Sequence, residues 1–198
     1  QKTACSMRMV PIGQLFQRTA RFLRCLSRRA GKRVGLDTRG GETKVDKTIA
    51  ESLADPLMHM MRNAIDHGIE DPAERQAAGK PPSARVVLAA YRRGGEVVIE
   101  VADDGRGLDY REILARARQR GLVGPSAQVS ESDVFRLILE PGLSTAEQVT
   151  EISGRGVGMD VVRRQVEKLG GRIEILSEAG RGTTFLLRLP LTPATLAG

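Results

Sequence analysis

The sequence has no tryptophan, two tyrosines and four phenylalanines, so aromatic residues are only 3% of its 198 positions. A surface that binds single-stranded nucleic acid by stacking bases on rings needs more than this. Cysteine is as scarce. Cys5 and Cys25 are too few for a disulfide scaffold and fit no metal-ligand spacing, and both histidines, His59 and His67, are far from them. They read as free thiols of a cytosolic protein. No apolar run approaches the roughly 18 residues of a membrane span, and no signal-peptide pattern opens the chain. Acidic residues fall short of basic ones, 24 against 31, for a formal charge of +7. Such a surface favours anions: nucleic acid, nucleotide phosphates or acidic partners. Duplex binding through phosphate contacts stays open on this count.

What is present is the composition of a folded protein, 40% hydrophobic and 28% charged, with a length that suits one domain with a proper core. The chain does not open on Met, and its first residues read as the tail of something longer. Residues 9–30 have helical periodicity, with Pro11 in a first-turn position, Ile12, Leu15, Phe16, Thr19, Phe22, Leu23 and Leu26 on one side, and Gly31 as the stop. Arg18, Arg21, Arg24, Arg28 and Arg29 load the other faces, as a solvated surface or as a contact for another domain. Val34–Asp37 reads as a strand, followed by a turn at Gly40–Gly41, and Asp46 is a cap for a helix from Lys47. Pro56 either opens a fresh helix behind Asp55 or kinks one long helix, and the sequence does not decide between them. Residues 70–82 read as a polar loop. Arg85–Tyr91 and Glu96–Ala102 form a hairpin through Gly94-Gly95, and Arg172–Ser177 and Thr183–Leu189 a second one around Gly180–Gly182. Helices are predicted at 110–120, 131–139 and 157–169, with a loop over 141–155. Helices alternating with antiparallel hairpins give an α+β class, with helices laid on one face of a sheet.

The stretch Asp55–Glu70 holds both histidines, and His59, Asn63 and His67 are spaced by four, along one slowly rotating edge of a helix. Leu57, Met60, Met61, Ala64 and Ile65 supply an apolar flank, so the polar edge reads as a site wall or as the ordinary outer face of an amphipathic helix. Three glycine clusters follow. Asp103-Asp104-Gly105-Arg106-Gly107 ends a predicted strand, where glycines let backbone approach a ligand and an Asp can accept from an exocyclic amine. Gly154-Arg155-Gly156-Val157-Gly158-Met159-Asp160 runs from a loop into a helix, a position suited to an anion nest. It is neither a P-loop nor, lacking a preceding strand, a Rossmann turn. Gly180-Arg181-Gly182-Thr183-Thr184 is accounted for by a hairpin turn alone.

Taken in order, these stretches resemble the nucleotide-binding domain of histidine kinases, in the superfamily shared with DNA gyrase, Hsp90 and the MutL repair proteins. Residues 55–70 look like its N-box and 103–107, 154–158 and 180–184 its three glycine boxes, with 139–145 in the place of the intervening hydrophobic box. The spacing His59-x-x-x-Asn63-x-x-x-His67-Gly68, with Pro141-Gly142-x-Ser144-Thr145 and Gly154–Asp160, is similar to the CheA family of chemotaxis histidine kinases. The likeness covers about 8–192 and implies a two-layer α/β sandwich, a mixed, mostly antiparallel sheet covered on one face by helices (the Bergerat-type ATP-binding fold). It also implies a domain division. Residues 1–8 would end a dimerisation domain or linker, 9–192 form the catalytic domain, and 193–198 begin the linker to a regulatory domain.

The resemblance implies ATP and Mg²⁺ as ligands. Asp103 matches the Asp that receives the adenine amine, Asn63 the Asn that holds Mg²⁺, and His59 a His near the γ-phosphate. His67 matches a second nucleotide-side His. Gly105 and Gly107 would flank the base, Gly154, Gly156 and Gly158, with Val157 and Met159, would lie over the phosphates, and Thr183 would line the site. Arg116 stands where a basic residue, often Lys, faces the phosphates, and the two are not interchangeable there. The relatives that hydrolyse ATP carry a Glu near the Asn, whereas here the residue four before Asn63 is His59. The expectation is a cytoplasmic histidine kinase that transfers the γ-phosphoryl to a histidine on a separate phosphotransfer domain and does not label itself. Its parent would be a homodimer working with a coupling protein, chemoreceptors and a response regulator, without nucleic acid or membrane insertion. The competing classes are an ATPase of the gyrase, Hsp90 or MutL type and a basic nucleic-acid-binding module, which has no recognition-helix, zinc or aromatic-platform motif to support it.

Overall fold

A computed structural model describes residues 8–143 and 158–192. Among the described residues seven strands and six α-helices follow one another: β1 Met9–Pro11, α1 Gly13–Ala30, β2 Val34–Arg39, β3 Lys44–Asp46, α2 Lys47–Asn63, α3 Pro72–Ala77, β4 Ala84–Arg93, β5 Glu96–Asp103, α4 Tyr110–Gln119, α5 Glu131–Arg136, α6 Met159–Lys168, β6 Arg172–Glu178 and β7 Gly182–Pro190. A π-helical turn, Ala64–Gly68, extends α2, and a 3₁₀ turn, Leu137–Leu139, extends α5. β1 and β3 make a small antiparallel pair. The main sheet has the order β2-β4-β5-β7-β6. Its β2–β4 pair is parallel and the others antiparallel. The mixed, mostly antiparallel two-layer fold expected from the sequence is therefore present.

Alternation along the strands decides which face is covered. Val86, Leu88 and Ala90 of β4, Val97, Ile99 and Val101 of β5, Leu187 and Leu189 of β7, and Ile173 and Ile175 of β6 join one core with α1, α2 and α6. The opposite face carries charge, with Arg188 of β7 hydrogen-bonded to Glu174 of β6 at 2.8 and 3.2 Å. The inward row of β5 continues by its period of two to Asp103, which sits opposite Val86. A carboxylate thus ends a row of core side chains on the side where the helices lie.

α2 is one continuous helix with Pro56 inside it. The lost backbone bond and ring clash cost roughly 3 kcal/mol. Leu53, Leu57 and Met61 are fully buried on the same helix, and burying such side chains contributes about 1.5–3 kcal/mol each. Packing therefore settles the alternative that the sequence left open. Asp46 caps α2 as expected, accepting from the Thr48 N–H at 2.8 Å. The sequence reading contains neither β1 nor β3 and ends β2 at Asp37 rather than Arg39, and the structure changes it elsewhere as well. Pro11 closes β1 rather than opening a helix, since the Ile12 and Gly13 N–H groups bond to Thr43 and Gly41 carbonyls at 3.0 and 2.8 Å. The stretch 70–82 is not all loop. Pro72 starts α3, and Glu74 reaches back to the Asp71 N–H at 3.2 Å, half of a capping box. Residues 131–139 change from α to 3₁₀ geometry after Arg136.

Candidate functional site

Asp103 stands where three glycine-bearing segments meet. Its carboxylate accepts the Gly105 N–H at 2.9 Å and the Thr183 N–H from the start of β7. A Cβ at Gly105 would lie 2.1 Å from the Gly68 carbonyl oxygen, and one at Gly182 1.9 Å from that of Asp103. No real Cβ tolerates either distance, so both glycines are there for backbone contact. Gly68 is less crowded on its own side: its Cβ position lies 3.7 Å from Asp103 Oδ2, an ordinary van der Waals contact. The Arg106 N–H donates to the Gly68 carbonyl at 2.8 Å, and the Gly180 N–H to that of Arg106 at 2.7 Å. Ser177 joins the last two segments: its hydroxyl accepts from the Leu108 N–H at 2.8 Å, donates to the Gly182 carbonyl at 3.1 Å and lies 3.0 Å from the Thr183 hydroxyl. The third glycine cluster, which a turn alone explained in the sequence, is thereby part of the Asp103 surroundings.

Asp103 is half-buried. Desolvation pushes its carboxyl above the ordinary range. The Gly105 and Thr183 N–H groups pull the other way, and the nearby charges of Asp104 and Glu70 add to the rise. The group is thus a strong acceptor with few protein donors to satisfy it, suited to a neutral N–H donor from a ligand.

His59, Asn63 and His67 all lie on the helix that ends at Gly68. The first two are on α2 and the third is on the π turn, whose i→i+5 bonding fits an extra residue into the turn. Such turns are frequent at functional sites. This one is held from outside: the Lys32 ammonium donates to the Ile65 and Ile69 carbonyls at 2.5 and 2.8 Å. His59 is half-buried, and its Nδ1 is buried with no hydrogen-bond partner among the described residues. Burial lowers its pKa, Asp55 opposes that and Arg62 adds to it, so the neutral imidazole is favoured. His67 is exposed and Asn63 half-buried.

The remaining expected residues divide. Gly107, with φ of 70°, packs against the Glu178 carbonyl, 2.3 Å from its Cβ position. Thr183 is buried, 6% exposed. Gly158 stands just before α6 and Met159 begins it, buried. Arg116 is on α4, with its guanidinium hydrogen-bonded to Glu112 of the same helix. Gly154, Gly156 and Val157 lie outside the described residues. Among the described residues no cluster of three or more His, Cys, Asp or Glu could hold a metal by itself. A single amide oxygen such as that of Asn63 fits Mg²⁺, which keeps waters and takes most of its protein-independent ligands from substrate phosphates.

Sequence reasoning missed the charged group behind Asp103. Arg75 of α3 is only 1% exposed, and it donates to Glu70 Oε1 at 3.2 Å, Asp104 Oδ2 at 3.1 Å and the Asp104 and Pro81 carbonyls at 3.2 and 2.7 Å. Lys80 donates to Glu70 Oε2 at 2.7 Å and to the Asp104 and Gly105 carbonyls at 3.1 and 2.7 Å. Burial tends to raise the Glu70 carboxyl, but the Lys80 hydrogen bond and the charges of Lys80 and Arg75 outweigh it and leave it below its usual range. The available signal was Asp71-Pro72-x-Glu74, a helix start.

Residues 52–193 match the family of histidine kinase-, DNA gyrase B- and HSP90-like ATPases. Chemotaxis protein CheA of Klebsiella aerogenes is 48% identical over 198 residues, 100% of this chain and 30% of its own length. CheA of Bacillus subtilis is 44% identical over 194 residues, 97% of this chain and 29% of its own length. Sensor histidine kinase CheAY of Helicobacter pylori is 45% identical, covering 99% of this chain and 25% of its own. The chain thus spans less than a third of these relatives. Two solved structures share the fold. The catalytic domain of histidine kinase ThkA has a TM-score of 0.56 at 14% identity, with 93% of this chain and 95% of that one covered. The mycobacterial sensor histidine kinase MprB has a TM-score of 0.56 at 18% identity, with 93% and 97% covered. With its glycine segments gathered around Asp103 and more than half its length matched, the chain belongs to the histidine kinase-, DNA gyrase B- and HSP90-like ATPase family.

Proposed function

We propose that this chain is the ATP-binding catalytic domain of a CheA-type histidine kinase, transferring the ATP γ-phosphoryl to a histidine on a separate phosphotransfer domain. The observation that carries this reading is the meeting of Gly68, Gly105 and Gly182 at Asp103, at the end of the helix bearing His59 and Asn63. Asp103 accepts the adenine amine, and Gly105, Gly107 and Thr183 shape the wall around the base. Asn63 would hold Mg²⁺, which neutralises charge on the phosphate oxygens. His67, Arg116 and the Gly154–Met159 stretch bind the phosphate side.

His59 stands where a water-activating carboxylate would make an ATPase. Its favoured form is the neutral imidazole, which binds or orients the γ-phosphate through a hydrogen bond, and the site thereby spares ATP from water. In the transfer, the bond from the γ-phosphorus to the bridging oxygen breaks, a nitrogen–phosphorus bond forms on the acceptor imidazole, and ADP leaves. The acceptor is not His59 or His67, which stay on the nucleotide side, so the chain alone does not label itself. The parent protein would be a cytoplasmic homodimer that works with a coupling protein, chemoreceptors and a response regulator, without nucleic acid. Among the described residues no helix is long and apolar enough to cross a membrane.

Calorimetric titration with ATP, with and without Mg²⁺, tests the reading beside an Asp103→Asn variant. Saturable binding of one nucleotide, strengthened by Mg²⁺ and weakened at least about tenfold in the variant, is expected. Equal affinity in both proteins, or steady phosphate release from ATP by the chain alone, would overturn it.

A further inference from the structure

We infer that Lys80, with Arg75, Glu70 and Asp104, forms a partly buried ionic frame that aims the Asp103 carboxylate at the base, which makes Lys80 a positioning residue for base selection. The inference rests on the nucleotide-site reading and adds residues to it. Its core is a single peptide plane, that between Asp104 and Gly105. On one side, the Asp104 carbonyl accepts from Lys80 at 3.1 Å and from Arg75 at 3.2 Å. On the other, the N–H of the same plane donates to Asp103 Oδ1 at 2.9 Å. A peptide unit is rigid, so a cation that fixes its oxygen also fixes the direction of its N–H. Hydrogen bonds at one end polarise the group and strengthen the bond at the other.

Glycine makes this frame necessary. The Gly68 carbonyl occupies the place a Cβ would need at position 105, so the turn must be glycine there, and glycine leaves its own torsions free. The restraint then has to come from outside the turn, and Lys80 supplies it by also holding the Gly105 carbonyl at 2.7 Å. The charges balance, with two cations against two carboxylates. Arg75 is 1% exposed, and a buried ion pair seldom adds net stability over apolar packing. Its effect is better placed in geometry. Lys80 and Arg75 also offset Glu70 and Asp104, the two carboxylates that otherwise press on Asp103.

The test compares ATP with purine riboside triphosphate, which lacks the exocyclic amine, in wild type, Lys80→Met and Lys80→Arg. The Lys80 side chain is 17% exposed, and thermal melts are recorded for each protein. Wild type should bind ATP about tenfold more tightly than the analogue. Lys80→Met should lose most of that preference, with ATP affinity falling toward that of the analogue and analogue affinity changing less than about twofold. Lys80→Arg, which keeps a cationic donor, should restore most of it. An unchanged preference in Lys80→Met, equal loss for both ligands, or unfolding of both variants would overturn the inference, since the lysine would then serve the fold alone. A wild type that binds neither nucleotide removes the site reading itself, and that outcome differs from all the others.

Discussion

The two hairpins of the main sheet are alike in sequence and opposite in use. Arg93-Gly94-Gly95 turns β4 into β5, and Gly180-Arg181-Gly182 turns β6 into β7. At the first turn neither glycine has an atom within 4 Å of its Cβ position, and only Gly94, with φ of 61°, needs to be glycine. At the second, Gly180 likewise turns the chain in open space with φ of 80°, but Gly182 lies under the Asp103 carbonyl with φ of 119°. The first hairpin needs one glycine, for backbone conformation, whereas the second needs Gly180 for conformation and Gly182 for conformation and contact together. The lesson is that a glycine's role is read from what lies opposite it, not from its neighbours in sequence.

The sharpest way to break this comparison is Gly182→Ala. With both steric overlap and a left-handed φ against it, the variant should lose about 3–5 kcal/mol in urea denaturation, and nucleotide binding with it. Stability within about 1 kcal/mol of wild type would mean that the contact with Asp103 is dispensable. Gly94→Ala should cost about 1–2 kcal/mol, from its φ alone, and leave ATP affinity as it is. If binding fell with it, the two turns would not be separable.

Asp103→Asn probes the end of β5 that Gly182 covers. The Asp103 carboxyl is raised in the fold above its ordinary value of 3.8. The folded protein therefore holds the proton more tightly than the unfolded chain, and this contribution to stability is complete below pH 3.8 and is lost as pH rises through the folded-state pKa. Denaturation across that interval should show wild type losing stability relative to Asp103→Asn as pH rises; parallel curves would count against the desolvated carboxylate. The smallest effect belongs to Gly95→Ala, which has free space and no positive φ, and its stability should stay within about 0.5 kcal/mol of wild type.

Much of this was legible because it is local. The Asp46 cap, the Gly31 stop with φ of 66° and both hairpins depend on residues within four positions of one another. Asp103 was readable in a second way, since it continues the alternation of Val97, Ile99 and Val101. α3 was missed although Asp71, Pro72 and Glu74 announced it, because the polar composition around them was read as loop. With α3 unread, Arg75 had no face, and a residue that composition places at the surface turned out to be buried.

Capping bonds and turn sterics act between near neighbours, so the Asp46 cap, the Gly31 stop, both hairpins of the main sheet and the ordered glycine clusters that mark the family were open to reading without the fold. Long-range packing was needed to show that α2 runs through Pro56, that opposing carbonyls require glycine at 105 and 182, and that Lys80 and Arg75 hydrogen-bond the turn beside Asp103. Those outcomes rest on contacts between segments far apart in the chain, where burial and shared hydrogen bonds outweigh local preference.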